Sequence, residues 1–196
     1  MLTNKELTLA GWASVLSALV TLPQLVFSIL LETTWERTTM LTILEEILMF
    51  TYLALFLFIY QKLKKLLNQH ANFHDADLYI SLIIWTNVAM ILLSGISMIV
   101  TSIEGIVGVL MLITFFPLGI VIIVFGFKLL KCAESFSGRL KPFAYLNIAT
   151  GVCLATVILF MFSFITGIVS DIFLAIIFFS EIDREKIEKD GYGVSG

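Results

Sequence analysis

The chain has 196 residues, of which 59% are hydrophobic and 14% charged, with a net charge of −3 and a mean hydropathy of +1.03. Soluble globular chains carry about one-quarter charged residues. That composition excludes a water-soluble domain, and charges this few and this segregated point to no nucleic-acid partner. The partner it does imply is the lipid bilayer.

The first apolar block, residues 8–31, is too long for a signal-peptide core and lacks a small-x-small cleavage site, so it reads as a retained span. Ala10, Ser14 and Ala18 recur in it at four-residue spacing, which lets helix backbones approach closely. Pro23 kinks this span, and Gln24 follows the kink as a polar side chain that either bridges helices or lines a polar path.

The second block, 41–60, opens with the adjacent carboxylates Glu45 and Glu46. A charge at the centre of a bilayer costs about 2.5–3.5 kcal/mol, so both need an account. Thr42-x-x-Glu45 has capping-box spacing, repeated at Thr3-x-x-Glu6, Thr33-x-x-Glu36 and Thr101-x-x-Glu104. Glu45 then reads as helix punctuation. Glu46, about 100° further round the helix, is not needed for the cap, and becomes the centre of a candidate outer cation or proton site with Glu45, Glu104 and Asp171.

The polar segment after it contains His70 and His74, four residues apart, beside Asp75 and Asp77. Imidazole and carboxylate at that spacing suit a divalent metal, although an ordinary solvated loop collects the same residues. Blocks 78–100 and 105–127 follow. Asn87 falls near the middle of the former, where a polar side chain bridges helices or lines a solute path.

The last block runs from 143 to 180 and would be about 57 Å long as one helix, nearly twice the hydrocarbon thickness of about 30 Å. Splitting it at Thr166 and Gly167 gives spans 143–163 and 167–182, with Asp171 in the first turn of the second. Residues 181–196 form a polar tail that continues the last helix and frays after Gly191.

Of the twelve Lys and Arg residues, only Arg37 falls outside the even loops and the two termini. By the positive-inside rule both termini are cytoplasmic. The expected fold is therefore an all-α membrane protein. It is a single six-span bundle over residues 1–180, built as three antiparallel hairpins; five spans with the tail outside is the alternative. The expected setting is a bacterial or archaeal cell membrane.

No span contains histidine, and the chain has no HExxH, GxSxG or P-loop motif. These absences imply no cofactor and a protein that is not an enzyme. The leading expectation is an accessory or scaffolding subunit that binds another membrane protein, or a second copy of itself, through its helix faces. The alternative is a small transporter, channel or solute-binding subunit using the outward-facing acidic site.

Overall fold

The computed structural model describes residues 2–33, 39–136, 138–156 and 159–191, without the side chains of 28–33, 39, 42, 98, 99, 101, 104, 160 and 185–191. Six α-helices account for nearly all of it, with no strand among the described residues. They are α1 (Asn4–Thr33), α2 (Thr39–His70), α3 (Asp77–Ile99), α4 (Glu104–Cys132), α5 (Leu140–Ala155) and α6 (Phe160–Gly191).

Five stretches are long and apolar enough to cross a membrane: Asn4–Phe27, Ile43–His70, Asp77–Ser97, Gly105–Phe136 and Met161–Arg184. The protein is a multi-pass integral membrane protein. The remaining helix, α5, has 16 residues, about 24 Å of rise against a hydrocarbon layer of about 30 Å.

Local chemistry sets several helix ends. At the start of α1 the Thr3 N–H donates to Glu6 Oε2 at 2.9 Å, and the Glu6 N–H donates to Thr3 Oγ1 at 3.2 Å. This is the reciprocal capping box read from the sequence. Past the end of α2, Asn72 adopts a left-handed φ of 47° and the Phe73 N–H donates back to the Leu67 carbonyl. Between α4 and α5, Gly138 takes φ 73°, a conformation that a side chain would strain.

Two boundaries differ from the sequence reading. In the last apolar block α5 ends at Ala155 and α6 begins at Phe160, and Thr166 and Gly167 lie inside α6. Away from water every backbone group needs a partner, so a helix runs through a lone glycine rather than opening there. The Thr166 hydroxyl bonds back to the Phe162 and Ser163 carbonyls, within its own helix. Asp171 consequently lies eleven residues into α6, about 15 Å along the axis from Met161, and not in a first turn. Likewise α2 starts at Thr39, which puts Glu45 and Glu46 in its second turn; the side chain of Thr42 lies outside the described residues.

Each helix packs against its neighbours in the chain, and α1 also packs against α6, closing a ring. Small residues permit the tightest seam. A Cβ on Gly151 would lie 2.6 Å from the Gly119 carbonyl oxygen, and one on Gly126 would lie 2.8 Å from the Ala144 carbonyl oxygen, so α4 and α5 meet backbone to backbone. On the opposite side, Gly11 faces the ring of Phe179. Ala10, Ser14 and Ala18 are all buried inside the bundle. Large apolar side chains such as Leu16, Trp85, Ile113, Phe127 and Ile176 point outward, as lipid contact requires.

A packed cluster fills one end of the ring. Leu63 and Leu67 late in α2, Phe125 and Leu129 late in α4, Leu140 and Phe143 early in α5, and Phe178 late in α6 are fully buried in one cluster. Polar contacts tie the same end together. Lys62 Nζ donates to Glu6 Oε1 at 2.7 Å, and Lys128 Nζ donates to Asp75 Oδ2 at 2.9 Å. Arg184 donates to the Ser135 carbonyl at 3.3 Å, and Lys141 pairs with Glu134.

Candidate functional site

Beyond that packed cluster, the space inside the ring is a cavity of about 580 Å³ to which all six helices contribute side chains. Such a volume falls in the range of small-molecule sites, roughly 300–1,000 Å³, which are mostly apolar with a few placed polar groups.

The wall contributed by α2 follows from helical periodicity. Glu45, Met49, Tyr52, Phe56 and Tyr60 line the cavity, at spacings of four, three, four and four that keep them on one face. Their rings form a column. Tyr52 stacks on Phe56 with centroids 6.0 Å apart, and Phe56 meets Tyr60 at 4.3 Å. Glu46 is absent from this wall because adjacent helical residues diverge by about 100°. Its Oε2 is buried and meets no hydrogen-bond donor among the described residues.

Asp171 of α6 lines the cavity and takes a hydrogen bond from the hydroxyl of Ser17 on α1, 2.7 Å to Oδ2. This bond spans the α1–α6 seam that the buried Ser14 and Ala18 make close. Asn87 on α3 and Asn147 on α5 line it too. Each sends its amide nitrogen 2.8 Å to a carbonyl one turn back in its own helix, Ile83 and Phe143 respectively. Asn147 Nδ2 also lies 3.4 Å from Ser170 Oγ. The side-chain oxygen of each asparagine is thus the group not engaged by its own helix. Gln24 and Thr21 of α1, Ser94 of α3, Thr150 of α5 and Ser163 and Ser170 of α6 also line it, with the Thr21 hydroxyl donating to the Ser17 carbonyl at 2.9 Å.

Of the four acids grouped by the sequence reading, the structure brings Glu45 and Asp171 onto one cavity and leaves Glu46 off it; the Glu104 side chain lies outside the described residues. Glu45, read as punctuation, faces the cavity, and Glu46, read as the centre, does not. Asn87 and Gln24 both reach the cavity. Ala10, Ser14 and Ala18 serve helix packing within the chain.

The four residues read as a metal set do not converge. His70 Nε2 lies 3.2 Å from Glu181 Oε2 on α6, with its ring 5.4 Å from that of Phe136. His74 Nδ1 lies 3.5 Å from Asp77 Oδ2, which also accepts from Asn68, and Asp75 holds Lys128. Lys128 beside it keeps the Asp75 carboxyl below the usual carboxylate range. Among the described residues, no group of three or more His, Cys, Asp or Glu side chains is placed to hold a metal ion.

Sequence reasoning missed Tyr52, Tyr60 and Asn147. The signal for the tyrosines was present, since they share a helical face with Glu45. Asn147 carried none, because nothing in its own segment tells an inward from an outward polar residue. No protein-family model, no curated protein and no solved structure matches this chain, so its function is argued from this geometry alone.

Proposed function

We propose that this integral membrane protein binds a small solute in the cavity at the centre of its helix ring, acting as a transporter or solute-binding subunit and not as an enzyme. The observation that carries the reading is the cavity itself. It lies beside the packed end of the ring, is of ligand size, and is lined by polar side chains from several helices set in apolar walls. Polar groups inside a membrane are costly and are placed toward interiors that use them.

In this reading the helices cross as three antiparallel hairpins with both termini cytoplasmic, in a bacterial or archaeal cell membrane. Support comes from the contacts at one end of the ring, where Glu6 at the start of α1 meets Lys62 late in α2. There too Asp75 before α3 meets Lys128 late in α4, and Arg184 late in α6 meets Ser135 before α5. That end also carries Lys5, Lys64, Lys65, Lys131, Arg139 and Lys141, as the positive-inside rule requires of a cytoplasmic face. The packed cluster then closes the cavity toward the cytoplasm.

An accessory or scaffolding role draws on helix faces. With Ala10, Ser14 and Ala18 buried, a membrane partner or second copy would meet the same outward apolar side chains that face lipid.

The test is a solute screen on intact protein in lipid nanodiscs, using organic cations, neutral solutes and anions, read by thermal midpoint and equilibrium dialysis. A ligand at a hundred times its Kd stabilises the folded state by about 2.7 kcal/mol. Binding by any class that is lost in Ser94→Trp, which puts a bulky indole at one wall of the cavity, supports the reading. Failure of every class to bind wild type sinks it.

A further inference from the structure

We infer that the solute is a protonated amine with an apolar body, its ammonium held at Asp171 and its body laid along the Tyr52–Phe56–Tyr60 column. This rests on the cavity being a solute site and adds the chemical class of what fills it.

Three observations converge on that class. The charged groups lining the cavity are Glu45 and Asp171, and no Lys, Arg or His is among its lining residues. An ionised carboxylate at mid-depth is costly unless a positive charge accompanies it. Second, several polar groups of the lining offer acceptors, beside the donors that Gln24, Ser94, Tyr52 and Tyr60 carry. Asn87 and Asn147 have their amide nitrogens turned to their own helices, and the hydroxyls of Thr21 and Thr150 are donated to Ser17 and Leu146 carbonyls. These groups offer oxygens, and Ser17 leaves the second oxygen of Asp171 for a further donor. An ammonium supplies several N–H donors and the missing charge together. Third, most of the remaining wall is apolar and aromatic, and the α2 rings suit both an apolar body and the fringe of a cation. An anion finds repulsion here, and among the described residues no three His, Cys, Asp or Glu side chains gather to hold a metal ion.

The experiment uses three probes of one shape on the intact protein in nanodiscs: phenethylamine, neutral 2-phenylethanol and anionic 3-phenylpropionate. Isothermal titration and thermal shift give the readout. Hydrogen bonds to charged groups are worth about 1.5–3 kcal/mol, so the amine should bind wild type roughly tenfold or more tightly than the alcohol. The acid should not bind. Asp171→Asn should bring the amine to the level of the alcohol while leaving the alcohol unchanged. If Asp171→Asn fails to fold, the wild-type ranking still decides, and Asn87→Leu should weaken the amine more than the alcohol. Equal binding of amine and alcohol, or preference for the acid, overturns the inference while leaving the cavity a solute site. So does silence of every amine tried, up to those that fill the cavity, while neutral solutes bind. If no solute of any class binds, the wider proposal fails first and takes this one with it.

Discussion

Replacing Gly151 by alanine should loosen the seam between α4 and α5, and replacing Gly108 by alanine should not. The added methyl at Gly151 would lie 2.6 Å from the Gly119 carbonyl oxygen, 2.7 Å from Ile123 Cγ1 and 2.9 Å from the Ile123 nitrogen. Ordinary contact begins at 3.4 Å, so the helices must part by about 0.8 Å, and two of the three obstacles are backbone atoms that cannot rotate away. A gap of that size forfeits a quarter to a half of each dispersion contact along the seam, and overpacking of this kind costs about 1–3 kcal/mol. Alanine in a helix interior returns about 1 kcal/mol relative to glycine. With rigid obstacles the cost lies near its upper end, which leaves a net loss of about 2 kcal/mol. A Cβ on Gly108 meets nothing within 4 Å, so that variant keeps the gain alone. The two variants should differ by about 3 kcal/mol, roughly 6–12 °C in thermal midpoint for a chain of this size, read by tryptophan fluorescence in one detergent. Gly11→Ala should fall between them, because its obstacle is the tip of the Phe179 ring, which can turn. Midpoints for Gly151→Ala and Gly108→Ala that coincide, or stand in reverse order, would refute the close α4–α5 contact and with it the position of Asn147 on the cavity.

Ser17→Ala removes the donor to Asp171 and should lower stability by about 1–3 kcal/mol, the usual cost of leaving a buried acceptor unsatisfied; Ser97→Ala, whose hydroxyl bonds only the nearby Ser94 carbonyl, should change little, and equal midpoints for the two would count against the Ser17–Asp171 bond. The Asp75–Lys128 pair should give a pH signature. A carboxyl held below its ordinary value in the folded state contributes stability above the unfolded pKa of about 3.9, and loses it as pH falls through the lower folded value. The midpoint difference between wild type and Asp75→Asn should therefore be present at neutral pH, vanish in acid and shrink in high salt; a difference that grows on acidification is the contrary result. Single cysteines at Thr3, Asp75 and Ser135, introduced after removing Cys132 and Cys153, should all react with a membrane-impermeant maleimide from the cytoplasmic side. Labelling of any one from the opposite side would break the hairpin arrangement.

Composition and block length were enough to establish a multi-pass helical membrane protein, because bilayer thickness and backbone satisfaction leave a long apolar chain few other forms. The capping box at Thr3 and Glu6 was equally legible, being a contact between residues three apart. The end of α5 at Ala155 and the start of α6 at Phe160 were not. Turn propensity at Thr166 and Gly167 is a local preference, and inside a bundle the need to satisfy every carbonyl overrides it. The acids divide along the same line. That Glu45 and Glu46 point about 100° apart follows from helix geometry alone, but which of them faces inward depends on where α1 and α3 pack against α2. Asp171 shows the limit most clearly. Its partner Ser17 lies 154 residues away, and no pattern within either segment announces the other. Sequence determined that the chain crosses the membrane in helices, since that follows from each segment's own solvation; only the closing of α1 onto α6 decided which polar side chains share a cavity, since that depends on packing between segments far apart in the chain.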